Sequence, residues 1–234
     1  MIVCLVAKYI GYKLSDKGRV RVGLFTSINT YMNYSLDVSK IEEIYFYDGK
    51  FYILYRTSTS NAQFYREKFA TADKIPELAI PIQFSVETVK EYYCPYCGSR
   101  IEWDADEPFC PKCGSEGHVK SKEIKVFTIK MPEFEEYLKW LAEKLTGKRV
   151  SKIEYEFLPP PEKIPENLII KYETKDWRPK YYEIKGYKVF ENPVFRGYVY
   201  DWDKEIVRKY TGTWIVFEVY EIGSGFSTIL LKLE

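Results

Sequence analysis

Apolar and polar positions alternate along most of this chain, and short turn signals cut the alternation into strands. Asp16-Lys17-Gly18 separates Ile2–Leu14 from Arg19–Phe25, and Asp48-Gly49 separates Ile44-Tyr45-Phe46-Tyr47 from Phe51-Tyr52-Ile53-Leu54-Tyr55. An Asp-Gly between apolar runs predicts a hairpin, because a type I′ turn needs two residues at positive φ. Further extended runs follow at Leu168–Glu173, Tyr181–Lys185, Tyr187–Phe190, Phe195–Tyr200, Trp214–Ile222 and Phe226–Leu233, the last two joined by Gly223-Ser224-Gly225. Pro76 and Pro81 are expected to interrupt regular structure, and Pro159-Pro160-Pro161 reads as a stiff connector after Val150–Phe157.

Helical periodicity is clearest over 132–146. Phe134, Tyr137, Leu138, Leu141 and Leu145 fall on one face. Pro132 suits the first helical position, Glu133, Glu135 and Glu136 complement the N-terminal dipole, Glu135 and Lys139 form an i,i+4 pair, and Gly147 suits the C-terminal cap. Two shorter helices are expected. One covers Ser60–Ala70, with Ser60 as N-cap and Gln63 at the capping-box position; the other covers Asp201–Tyr210, with Asp201 as N-cap.

The strongest chemical signal is a duplicated cassette, Cys94-Pro95-Tyr96-Cys97-Gly98-Ser99 and Cys110-Pro111-Lys112-Cys113-Gly114-Ser115, with twelve residues between Cys97 and Cys110. A C-x-x-C turn aims two sulfurs at one ion; proline presets φ for the turn, and glycine tolerates positive φ. Two structural disulfides are disfavoured because vicinal C-x-x-C pairs seldom form them, and a thioredoxin-like redox pair would need a βαβ setting. The segment 88–130 resembles a zinc ribbon, in which two such knuckles at hairpin tips hold one zinc. The cassette is also similar to that of rubredoxins, which bind iron but space the two cassettes much further apart. The resemblance implies one structural zinc on Cys94, Cys97, Cys110 and Cys113, with no open position for catalysis. His118, the single histidine, reads as a surface loop residue, and Cys4, inside Ile2–Ala7, as an inert buried thiol. Gln83–Tyr93 and Val119–Lys130 read as two antiparallel arms leading into and out of the ribbon.

The expected fold is α+β, predominantly antiparallel β, with an inserted zinc ribbon and one main amphipathic helix. Its divisions are a β-rich region 1–87, the ribbon 88–130 and an α+β region 131–234, which can share one body with the first.

Composition changes this picture only modestly. The chain of 234 residues carries 35 basic and 34 acidic groups, so no global basic excess argues for nucleic acid. With 22 Tyr, 14 Phe and one His, and Gln63 and Gln83 as its glutamines, the bias fits a β-rich protein from a hyperthermophilic archaeon or its virus. No apolar run approaches eighteen residues and no secretory leader is evident, so no membrane span is expected and a reducing cytoplasm fits the thiols.

Three function classes follow. A protein-interaction or structural role without catalysis is favoured. Between Cys94 and Cys113, Arg100 and Lys112 face Glu102, Asp104, Asp106 and Glu107, two positives against four negatives, which would repel phosphate. Trp103 beside these acids packs on the ribbon or anchors a protein partner. Nucleic-acid binding is the alternative. Its candidates are Lys120, Lys122, Lys125 and Lys130 on the arm, with Lys175, Trp177, Arg178 and Lys180 as a basic-aromatic cluster; lysines guarding a strand edge are the simpler account. An enzyme using carboxylates such as Asp201 and Asp203 is the third class, since no nucleotide-binding loop, nucleophile elbow or metalloprotease motif is present.

Overall fold

The computed structural model describes residues 1–14, 20–25, 35–101, 109–116, 119–157, 160–174, 179–199 and 204–234, with the backbone alone at 12–14, 196–199, 204–209 and 226. The chain runs β1 (Ile2–Ala7), β2 (Tyr9–Leu14), β3 (Val20–Phe25), β4 (Ser35–Asp37), β5 (Ile41–Tyr47), β6 (Lys50–Arg56), α1 (Thr59–Lys68), β7 (Ala70–Ala72), β8 (Ile80–Tyr93) and β9 (Arg100–Ile101). It continues through β10 (Lys120–Lys130), α2 (Phe134–Thr146), β11 (Val150–Glu156), β12 (Ile170–Glu173), β13 (Tyr181–Glu191), β14 (Val194–Val199), β15 (Lys204–Lys209), β16 (Thr213–Glu221) and β17 (Gly225–Leu233). One sheet has the order β10-β8-β5-β6-β1-β7, with β9 added beside β8; a second has the order β11-β17-β16-β13-β12. Strands β2-β3-β4 form a small third sheet, and β14-β15 a hairpin. All of these strand pairings are antiparallel, which makes the fold α+β and mostly antiparallel β. Among the described residues no helix is long and apolar enough to cross a membrane.

Alternation along β16 and β17 divides the core. Ile215, Phe217, Val219, Ile229 and Leu231 point into the main apolar cluster, while Trp214, Val216 and Leu230 point to the opposite face. There they meet Ile164, Phe190 and Phe195 in a smaller cluster, so β16 is covered on both sides. The main cluster joins Val3, Leu5, Phe46 and Ile53 of the first sheet to Tyr172, Phe217 and Leu231 of the second through Tyr137, Leu138 and Leu141 of α2. Apolar residues of 1–87 and 131–234 therefore share one core. Aromatic stacking consolidates the seam: Phe134 lies 3.8 Å from Tyr182, and Tyr137 lies 4.6 Å from Tyr172, whose hydroxyl donates to the Pro132 carbonyl.

Several local expectations shift. Helix α1 is capped by Ser58, not Ser60: the Ser58 Oγ accepts from the Asn61 N–H at 3.3 Å, and Gln63 donates to Glu67 at 2.9 Å instead of closing a capping box. Pro132 lies just outside α2. Glu133 is the cap, its N–H donating to the Glu136 carboxylate at 3.2 Å, and Gly147 ends the helix with its N–H on the Glu143 carbonyl as expected. Pro81 does not break β8. It sits where β8 has β5 on one side and β10 has not yet begun on the other, so the missing N–H is tolerated. The expected helix over Asp201–Tyr210 is wrong over its described part: Lys204–Lys209 is strand β15, paired residue for residue with β14 from Val194↔Lys209 to Val199↔Lys204. Cross-strand pairing outweighs the cap signal there. Asp201 and Asp203 lie outside the described residues, as does the Asp16-Lys17-Gly18 turn.

The runs Tyr181–Lys185 and Tyr187–Phe190 are one strand, β13, with a register shift at Gly186. Segment 164–167 presses onto this irregularity. The Asn167 side chain accepts from the Tyr187 N–H at 3.0 Å and donates to the Tyr187 carbonyl at 3.1 Å. A Cβ on Gly186 would stand 1.9 Å from the Pro165 carbonyl oxygen. Gly186→Ala is therefore expected to lower stability by about 2 kcal/mol or more, read from urea unfolding midpoints; an unchanged midpoint would refute the close approach.

Tyr137 is fully buried, and its hydroxyl has no hydrogen-bond partner among the described residues. Burial raises its pKa, as it does that of Tyr55. A phenol whose folded pKa is raised contributes stability that is intact below its unfolded pKa of about 10 and is lost as pH climbs toward the folded value. The expected outcome is a fall in unfolding free energy above about pH 10, smaller in Tyr137→Phe. At neutral pH the same variant should be unchanged or more stable, by up to about 1 kcal/mol, because it deletes an unsatisfied group.

Candidate metal centre

Strand β8 pairs with β10 over eleven residue pairs, ending at Tyr93↔Lys120, so the ladder runs on until one residue before Cys94. The chain turns through the first cassette and returns as β9, where Arg100 pairs with Tyr93 and Ile101 with Tyr92. The second cassette is closed the same way, by a bridge between Phe109 and Glu116. Each cassette is thus the turn of its own short hairpin.

The two turns are built alike. The Gly98 N–H donates to the Cys94 carbonyl at 2.9 Å and the Cys94 N–H to the Ser99 carbonyl at 2.9 Å; the second cassette repeats this with Gly114 on Cys110 at 2.9 Å and Cys110 on Ser115 at 3.0 Å. Gly98 and Gly114 share a φ of 70°, the left-handed conformation that glycine adopts without a Cβ penalty. Cys94 and Cys110 are buried, while Cys97 and Cys113 are exposed, so each turn contributes one inner and one outer sulfur.

All four Sγ atoms lie within 4.8 Å of one another. The separations Cys94–Cys113 and Cys97–Cys110 are each 3.5 Å. A tetrahedral cation with metal–sulfur bonds of about 2.3 Å separates its sulfurs by about 3.8 Å, which falls inside this range. The donor set therefore fits one tetrahedral thiolate-bound ion, and with four ligands the coordination is closed.

Hydroxyls support the charge that such binding requires. Ser99 Oγ lies 3.2 Å from Cys97 Sγ, and Ser115 Oγ lies 3.1 Å from both Cys94 and Cys113 Sγ. The Ser115 hydroxyl is the main reason the Cys94 thiol is brought down to about 6; Ser99 likewise lowers Cys97. At Cys110 the Cys113 N–H favours the thiolate, but burial and the neighbouring thiols outweigh it and the pKa rises to about 11. Binding of a cation to thiols would expel the protons they carry. The two serines were not singled out as site residues in the sequence, although they are the sixth residue of each repeated cassette.

The remaining candidates separate. Glu102, Trp103, Asp104, Asp106, Glu107 and His118 lie outside the described residues, as do Lys175, Trp177 and Arg178. Register splits the arm lysines. Lys120, Lys122 and Lys130 share one face of β10 with Glu91 and Glu87 opposite, whereas Lys125 is on the other face beside Glu123. They form no continuous basic surface. Lys180 lies just before β13, and its N–H donates to Thr174 Oγ1 at 2.9 Å between β12 and β13. Cys4 is half-buried in β1 and its thiol is pushed up by burial, which leaves it a weak nucleophile. Tyr96, inside the first cassette, and Phe109, just before the second, are 71% and 54% exposed, large apolar surfaces at the sulfur cluster.

No family model, curated protein or solved structure matches the chain.

Proposed function

We propose that this is a non-catalytic zinc protein in which a zinc ribbon at the end of the β8–β10 arm is held in shape for contact with another protein. The convergence of four thiols in two turns with matching backbone hydrogen bonds carries this reading. Soft thiolates in tetrahedral array favour zinc, and a closed set of four leaves no position for water or substrate. Among the described residues the module has little else to hold it. Its own apolar cluster is Cys94, Ile101 and Cys110 with Val119 against them, far too small to offset the chain entropy of two hairpins. Metal binding would supply that stabilisation.

Exposed Tyr96 and Phe109 support protein as the partner, since aromatic anchors suit such interfaces, and so does the acidic sequence between the cassettes. Nucleic acid is less well supported: the arm lysines divide between two faces and alternate with glutamates. A hyperthermophilic archaeon or its virus as the source, and the cytoplasm as the compartment, rest on composition and on thiol chemistry.

Elemental analysis of the purified protein should find one zinc per chain. Cys110→Ser should abolish retention, and a chelator should render all four cassette thiols reactive to a thiol reagent. A metal-free protein whose thiols react fully in the native state would contradict the reading. Neutralising Glu102, Asp104, Asp106 and Glu107 should leave zinc content unchanged while slowing association with a protein partner and flattening its salt dependence. Cross-linking of DNA or RNA at Trp103, weakened by Arg100→Ala and Lys112→Ala, would replace the protein partner with nucleic acid.

A further inference from the structure

Where the two large sheets meet, a cleft of about 450 Å³ opens between the β5–β6 turn and the β12–β13 hairpin. Its walls come from segments far apart in the chain: Lys8, Asp48 and Lys50 on one side, Lys171, Glu173 and Tyr181 on the other. Ile222 adds an apolar edge. That size is within the range of small-molecule sites, and a seam between packed units is where such sites concentrate.

The charges in the cleft are not equivalent. Each carboxylate already has a donor. Asp48 Oδ1 accepts from the Lys171 N–H at 3.0 Å, and Glu183 is paired with Lys185 Nζ at 3.0 Å. Glu173 raises the pKa of Tyr181, first by its charge and also by accepting from the phenol. The three ammoniums are different: among the described residues, Lys8, Lys50 and Lys171 form no ion pair, and Lys8 Nζ rests only over the Tyr9 ring at 5.6 Å. The acids are committed inside the protein, while the lysines still have donors to offer. Tyr181, 44% exposed, and Ile222, 65% exposed, supply uncovered ring and aliphatic surface at the same opening.

We propose that this cleft binds a small organic phosphate, with the phosphate toward Lys8, Lys50 and Lys171 and the organic part against Tyr181 and Ile222. Ammoniums act as point-charge phosphate donors, and a tyrosine face accepts a flat ring. Lys185 balances Glu183, so Lys8, Lys50 and Lys171 stand against Asp48 and Glu173, and the cleft keeps one net positive charge for an anion. This site shares no residue with the cysteine cassettes and does not rest on the metal reading.

The test uses the full-length, metal-loaded protein with adenosine 5′-monophosphate as probe, followed by isothermal calorimetry at low salt. Saturable binding at one site per chain is expected, with adenosine and inorganic phosphate each binding more weakly. The triple variant Lys8→Gln, Lys50→Gln, Lys171→Gln should weaken the nucleotide about tenfold or more, and Tyr181→Ala should weaken it with inorganic phosphate unaffected. All four positions are exposed, so unchanged thermal unfolding of the variants is expected and is to be verified. The control variant Lys120→Gln, Lys122→Gln, Lys125→Gln on the arm should bind like the parent. No saturation at millimolar nucleotide, adenosine binding as tightly as its monophosphate, or equal loss in the arm variant would each overturn the proposal.

Discussion

Four sulfur atoms that lie within 4.8 Å of one another constrain the two cassette turns between β8 and β10. Uncompensated, four thiolates repel, and four thiols offer only weak hydrogen bonds; a shared cation turns the same arrangement into the strongest local interaction in the segment. The surrounding structure serves that convergence. Paired turns with matching N–H to carbonyl bonds set the sulfur directions, serine hydroxyls back the sulfurs, and a long antiparallel ladder fixes where both turns begin and end. The exposed rings of Tyr96 and Phe109 keep their positions only while those turns do.

The body follows a different logic. Its order comes from apolar surface, with α2 filling the space between sheets and β16 covered on both faces. Tyrosine-rich stacking at the α2 seam leaves the buried Tyr137 phenol without a hydrogen-bond partner among the described residues. The same seam opens outward as the lysine-lined cleft, whose walls come from several chain segments.

How much could be read in advance depended on the range of the deciding interaction. The metal cluster was legible because its ligands and turn residues sit in six-residue cassettes, and α2 was legible because Phe134, Tyr137, Leu138 and Leu141 repeat at helical spacing. Hairpins at Asp48-Gly49 and Gly223-Ser224-Gly225 were legible for the same local reason. Features decided by distant neighbours were not. Strand β15 forms because β14 lies beside it, Pro81 is accommodated because the pairing of β8 with β10 begins two residues later, at Gln83, and Gly186 is required because Pro165 crosses it. Strand register, not sequence proximity, decides which side chains share a surface, and it sets Lys120, Lys122 and Lys130 apart from Lys125. The cleft joins residues as far apart as Lys8 and Ile222, a proximity that no local pattern announces.

Native-state hydrogen exchange of the metal-loaded and chelated protein tests the central claim most directly. If a cation on the four cysteines organises the tip while apolar packing organises the body, chelation should strip amide protection from residues 94–101, 109–116 and the distal β8–β10 ladder, and leave β16, β17 and α2 protected. Equal protection with and without metal, or loss of protection throughout the body, would contradict it.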